Sequence, residues 1–189
     1  RDLLRDRSRL QALYAEDGRI DTRILYEAIV DSAAAARVHF VIEEGQPVRL
    51  ANVRLEGLQK TRPYVVLREV TMTQGAVLRH SELLNTQTAV FSTGLFRSVL
   101  VRPDVDSTGA ETRDVTILVR ERDTGALDLG TGYGSSEHLR VVASVAQTNW
   151  QGRGLRFGAN GRVSRLLRTA EGVFTLPFVL GVRVALDGR

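Results

Sequence analysis

The chain has 189 residues, a formal net charge of +4 and an isoelectric point near 10.1, and Lys60 is the only lysine among its 26 basic residues. The absence of cysteine excludes disulfide and thiolate chemistry, and no apolar run reaches the roughly 18 residues that a transmembrane helix needs. The arginines alternate with Asp and Glu or fall on one side of alternating segments, so the charge reads as a solvated surface and no nucleic-acid partner is expected.

Arg1 reads as mid-helix, and no basic, apolar, small-residue leader is visible, which leaves either no export or a missing N-terminus. Composition shifts near Thr124 from charged and mixed to Gly-rich and alternating, which favours at least two domains. Leu3, Leu10, Leu13 and Tyr14 recur at helical spacing ahead of Gly18, a left-handed cap, and predict an amphipathic helix over 2–17. Strands are predicted over 20–30 and 36–43, where Val38, Phe40 and Ile42 alternate against His39 and Val41. Gly45 and Pro47 break the pattern.

A new unit follows in the order strand (48–56), helix (61–71), helix (81–93), strand (96–105), strand (113–121), or β-α-α-β-β. Ser81 is expected to cap the second helix, Gly94 to end it, and Asp106 to Gly109 to turn the chain between the last two strands. The first 45 or so residues repeat the helix-strand-strand end of the same order, as an incomplete copy before a complete one. The expected division is 1–46, 47–123 and 124–189.

From Ala126 onward, apolar residues occupy every second position. Leu127, Leu129, Thr131 and Tyr133 oppose Asp128, Gly130, Gly132 and Gly134; Leu139, Val141, Ala143 and Val145 oppose Arg140, Val142, Ser144 and Ala146. Leu155, Phe157, Ala159, Gly161 and Val163 oppose Arg156, Gly158, Asn160, Arg162 and Ser164, and Ala170, Gly172, Phe174, Leu176 and Phe178 oppose Thr169, Glu171, Val173 and Thr175. Each run is about 10 residues, the length a tilted strand needs to cross a bilayer. A lipid-facing apolar side and a lumen-facing polar side account for it.

These residues resemble the BamA/TamA-type outer-membrane-protein assembly factors, which carry POTRA domains ahead of a membrane barrel. The POTRA pattern is matched by Tyr14, Gly18, Val38, Ile42, Glu44 and Gly45 in the first copy, and by Val53, Gly57, Leu83, Gly94, Leu95, Phe96 and Val99 in the second. Gln147 to Gly154, with Asn149, Trp150, Gly152 and Gly154, resembles the family's first periplasmic turn. Thr175 to Gly181, with Pro177, Phe178 and Gly181, resembles its second. The resemblance implies an α+β POTRA fold followed by antiparallel strands from the start of a transmembrane β-barrel. Four strands and the start of a fifth are fewer than the roughly 8 that close a barrel, so the chain reads as a fragment.

Two strands stand out for an interaction mechanism. The resemblance makes the strand with Arg97, Ser98, Val99, Leu100, Val101 and Arg102 a sheet edge, open to addition of a client strand or else solvated and blunted by Arg97, Arg102 and Pro103. It makes the first barrel strand, with Leu127, Leu129, Gly130, Gly132, Tyr133 and Gly134, one side of a lateral seam. Its glycines either weaken pairing there or fit a crowded lumen.

Gly130, Gly132 and Gly134 do not make a phosphate loop, because Ser135 stands where the third glycine would be and no helix follows. His39, His80 and His138 lack metal spacing, and Ser92, Ser98, Ser135 and Ser144 lack a nucleophile elbow. No catalytic residue, metal or cofactor is expected. The resemblance implies assembly or insertion of outer-membrane proteins, with unfolded outer-membrane proteins, the outer-membrane bilayer and periplasmic or inner-membrane accessory proteins as partners. It places POTRA domains in the periplasm. A two-partner-secretion transporter of the same superfamily and a soluble POTRA adaptor are the alternatives.

Overall fold

A computed structural model describes residues 2–30, 36–105, 110–135, 138–176 and 186–188. The chain forms two compact units, one from residues 1–56, 69–90 and 99–118, the other from 57–68, 91–98 and 119–189.

In the first unit, α1 (Asp2–Glu16) ends where Gly18 takes a φ of +82°, and Arg19 N–H donates back to Tyr14 O at 2.9 Å. A Cβ at Gly18 would lie 2.3 Å from Val77 Cγ1, so the expected glycine cap is also a close approach. The turn after it delays the next strand, which runs as β1 (Arg23–Val30) rather than from Ile20, and pairs antiparallel with β2 (Ala36–Glu43). Buried Thr22 ties this turn down: its Oγ1 lies 2.7 Å from both Arg19 O and Glu44 O, which share its single hydroxyl proton.

The three-stranded sheet has the order β3-β5-β4, with β3 (Arg49–Glu56), β4 (Phe96–Pro103) and β5 (Thr112–Glu121). β3 runs parallel to β5, with a register shift between Leu50 and Val53. The amide orphaned by this irregularity, Asn52 N–H, donates to Asp114 Oδ1 at 2.9 Å, and Asp114 Oδ2 accepts from Arg54 at 2.6 Å. Arg113 forks onto Asp21 with bonds of 2.9 and 2.6 Å, joining the turn after α1 to β5 within this unit. Val48, Leu50, Leu78, Leu83, Val90, Val115 and Ile117 form its buried core.

The two helices between β3 and β4 differ from expectation in instructive ways. The first, α2 (Pro63–Leu67), is one short turn rather than 61–71: Pro63 fixes its start, and Val65 and Val66 are fully buried. The second, α3 (His80–Ser92), begins one residue before Ser81, so Ser81 is not its cap. Instead Glu16 of α1 accepts from Ser81 N–H at 3.0 Å and from Ser81 Oγ at 2.5 Å. A carboxylate from a distant helix supplies the negative charge that a helix start favours, and these two bonds hold the Glu16 carboxyl below its ordinary range.

In the second unit, β6 (Gly125–Gly134), β7 (His138–Trp150), β8 (Leu155–Ser164), β9 (Arg168–Leu176) and β10 (Leu186–Gly188) form one antiparallel sheet in sequence order. Its register sets Leu127 opposite Val145, Val145 opposite Ala159 and Ala159 opposite Gly172; on the other face Asp128, Ser144, Asn160 and Glu171 form one row. The apolar sets therefore share a single face across four strands. Leu129 and Tyr133 on that face are 75% and 78% exposed, so no protein layer covers them among the described residues. A sheet with a naked apolar face suits lipid and not water. No described helix is long and apolar enough to cross a membrane.

Candidate functional site

Three places combine the residues singled out by sequence. The first is β4, an outer strand of its sheet. The opposite outer strand, β3, is met at its start by the segment 75–78: Leu50 N–H donates to Ala76 O, Gly75 N–H to Leu50 O and Leu78 N–H to Val48 O, at 2.8 to 2.9 Å. On β4, Val101 is buried, Val99 half-buried, and Arg97, Ser98, Leu100 and Arg102 are exposed. Arg97 pairs with Asp123. A side chain reaches the backbone of this strand as well, since Val101 N–H donates to Gln87 Oε1 at 3.3 Å.

The second is β6, an outer strand of the five-stranded sheet. Its side chains Leu127, Leu129 and Tyr133 point to the apolar face, and Gly130, Gly132 and Gly134 to the polar one. A Cβ built at Gly130 or Gly134 meets nothing within 4 Å, and at Gly132 it meets the flexible Arg140 guanidinium at 3.5 Å. Crowding by the described residues therefore does not require these glycines.

The third is the turn between β7 and β8. Asn149 is buried; its Nδ2 donates to Thr61 Oγ1 at 2.8 Å and its Oδ1 accepts from Gly154 N–H at 2.8 Å. Gly152 has a φ of +72°, and a Cβ there would sit 2.1 Å from Lys60 O. Gly152 O accepts from Arg62 N–H at 2.9 Å, and Gln151 O accepts from Arg62 Nε at 3.2 Å. Trp150 is exposed, with its ring edge-on to Phe157 at 5.1 Å between centroids.

The loop that receives this turn, residues 57–62, is held from its other side by Glu121. The Glu121 carboxylate accepts the amide N–H groups of Gln59, Lys60 and Thr61 at 2.7 to 3.2 Å. Partial burial pushes this carboxyl up, but the Thr61 donors and the amides of Lys60 and Gln59 outweigh that and hold it below its ordinary value. The loop and the turn thus form one hydrogen-bonded block within the second unit.

Pro177, Phe178 and Gly181 lie outside the described residues. Thr61, Glu121 and Gln87 were not anticipated from sequence. The one sequence signal near them is Pro63, which marks Thr61 and Arg62 as the loop before a helix. His39, His80 and His138 sit on β2, α3 and β7, and none is brought to another.

Comparison with known proteins gives the arrangement a lineage. The POTRA family model, described as surface antigen variable number repeat, matches residues 48–122. The outer membrane protein assembly factor BamA of Nitratidesulfovibrio vulgaris is 32% identical over 117 residues, 62% of this chain and 15% of that protein. The BamA of Neisseria meningitidis serogroup B is 31% identical over 159 residues, 82% of this chain and 20% of that protein. The crystal structure of BamA from Haemophilus ducreyi lacking POTRA domains 1–3 shares the fold, with a TM-score of 0.79 at 21% identity over 95% of this chain and 34% of that one. The chain spans a fifth or less of the length of these two curated relatives. With a POTRA domain over 48–122, BamA relatives above 30% identity and the fold of a BamA structure over 95% of its length, this chain is a BamA-type segment, a POTRA domain plus the start of a β-barrel.

Proposed function

We propose that this chain is the part of an outer-membrane protein assembly factor in which periplasmic POTRA domains pass client strands to a barrel seam. Residues 1–46 close one POTRA domain, 47–123 form a complete one and 124–189 open the barrel. Clients are unfolded outer-membrane β-barrel proteins, received as an added strand on β4 and inserted beside β6, in the bilayer of the outer membrane, with periplasmic or inner-membrane accessory proteins as further partners. No nucleotide, metal or catalytic group takes part; pairing energy drives the exchange.

The observation that carries this reading is the asymmetry of the three-stranded sheet. Segment 75–78 bonds to the main chain at the start of β3, at Leu50 and the preceding Val48, whereas β4 lies at the other edge with alternating apolar residues and no main-chain partner of this kind among the described residues. Exposed edges of this kind are templates for another strand. A photoreactive residue at Leu100 in the full-length protein is expected to crosslink to unfolded barrel proteins, and Val99→Pro to abolish it. Crosslinking that survives Val99→Pro, or that never captures a barrel protein, overturns strand addition. For the seam, Gly132→Val is expected to slow client insertion, and unchanged insertion overturns that role for β6.

A further inference from the structure

The β4 edge is occupied at one of its backbone donors by the protein's own amide. Backbone groups point alternately to the two sides of a strand. Asp104 N–H, just past β4, donates to Asp114 O in β5 at 2.9 Å, whereas Leu95 O accepts Arg122 N–H one residue out of step with it; the adjacent exposed pair Arg97 and Ser98 marks the irregularity, so Val99 and Val101, on its Asp104 side, direct their N–H groups away from β5. Val101 N–H meets Gln87 Oε1 of α3 there, at 3.3 Å. The next residue on that side is Pro103, which has no N–H to offer.

The identity of the capping group says what belongs in its place. A glutamine carboxamide has the same carbonyl acceptor and N–H donor as a peptide bond. It also satisfies an amide on a buried residue, Val101, where an unmet donor would be penalised. An incoming extended chain offers the same carbonyl to the same N–H. The exchange is then one amide for another, with little net gain at that position, which suits a surface that must release what it captures.

We propose that Gln87 guards the β4 edge: its carboxamide holds the seat of a client peptide carbonyl, and an extended chain adding to β4 must displace it. This rests on the strand-addition reading above and adds a competitor built into α3. The guard limits free pairing to the stretch around Val99 until Gln87 swings away, and in the absence of client it blunts an edge that would otherwise pair with other chains.

The test uses the full-length protein in detergent and a labelled synthetic peptide with the sequence of residues 155–164, a barrel strand of alternating pattern, read by fluorescence anisotropy. Gln87→Ala is expected to bind this peptide about fivefold more tightly than wild type, the equivalent of one net hydrogen bond no longer displaced. Gln87→Glu, whose carboxylate holds Val101 N–H more strongly, is expected to bind it more weakly. Hydrogen exchange at the Val101 amide without peptide is expected to quicken in Gln87→Ala, a readout independent of any client. Peptide binding that Val99→Pro abolishes but Gln87→Ala leaves unchanged or weaker overturns the guard and keeps strand addition. Absence of peptide binding in every form overturns strand addition, and the guard with it. The opposite signs expected for Ala and Glu separate a guard from a variant that merely unfolds.

Discussion

Asn149, in the turn between β7 and β8, donates from its buried side chain to Thr61 Oγ1 at 2.8 Å across 88 residues of sequence. The same side chain accepts Gly154 N–H, so one residue both shapes the turn and fixes it to the loop before α2. Asn149→Ala removes both bonds and leaves a buried amide unmet, and a loss of about 2 kcal/mol is expected. Combined with Thr61→Val in a double-mutant cycle, the two changes are expected to be non-additive by about 1 kcal/mol, measured by denaturant unfolding of the full-length protein. Additive losses would show that the two side chains act separately.

Two glycines in the same unit should respond in opposite directions. Gly152 has a positive φ and would place a Cβ 2.1 Å from Lys60 O, a backbone atom that cannot turn aside. Gly152→Ala is expected to destabilise by roughly 2 kcal/mol or more through strain and displacement of the loop. Gly130 has an ordinary φ and open space around it, so Gly130→Ala is expected to be neutral or stabilising by up to about 1 kcal/mol. Thermal unfolding of the two variants side by side checks both.

The Glu121 carboxylate gives the loop an acid sensitivity. Its folded value lies below its unfolded one because the Thr61, Lys60 and Gln59 donors outweigh the effect of burial. Its contribution is therefore fully present above the unfolded carboxylate value, about 4.3, and is lost as pH falls through the lower folded value. Wild type is expected to exceed Glu121→Gln in stability at neutral pH and to converge on it in acid. A gap between the two that is constant from neutral pH down to about 3 would contradict this.

The two faces of the barrel sheet should differ in tolerance. Leu129→Arg places a charge on the apolar face, at an expected loss of about 2 to 4 kcal/mol if the position lies near mid-bilayer. Asp128 is on the opposite face and accepts from Ser144 Oγ at 3.3 Å. Its replacement by Arg is expected to change folding into lipid vesicles by less than about 1 kcal/mol. Equal effects of the two substitutions would mean that the faces are misassigned.

The strands and their faces were legible because alternation is a local property: Leu127, Leu129 and Tyr133 lie two residues apart or a multiple of two, and the pleat alone decides that they share a side. Gly18 and Gly94 were legible for a similar reason, since each lies two residues past the end of its helix, at a positive φ. Ser81 misled because its spacing suits a cap, while the role belongs to Glu16, 65 residues earlier in the chain. The helix expected over 61–71 shrank to Pro63–Leu67: Pro63 sets its start, and Thr71 gives its N–H to Thr86 Oγ1 of the next helix at 3.2 Å instead of continuing the turn.

The sequence by itself determined the order of elements, the two-faced barrel strands and the sharp turn after Trp150, all of which follow from periodicity and from glycine and proline at fixed positions. Only the tertiary structure decided which residues grip that turn, which outer strand of the three-stranded sheet meets a main-chain segment at its start, and that Gln87 reaches Val101. Those outcomes depend on hydrogen bonds between groups 14 to 88 residues apart, and no local pattern encodes which distant carboxamide, hydroxyl or carboxylate will arrive at a given amide.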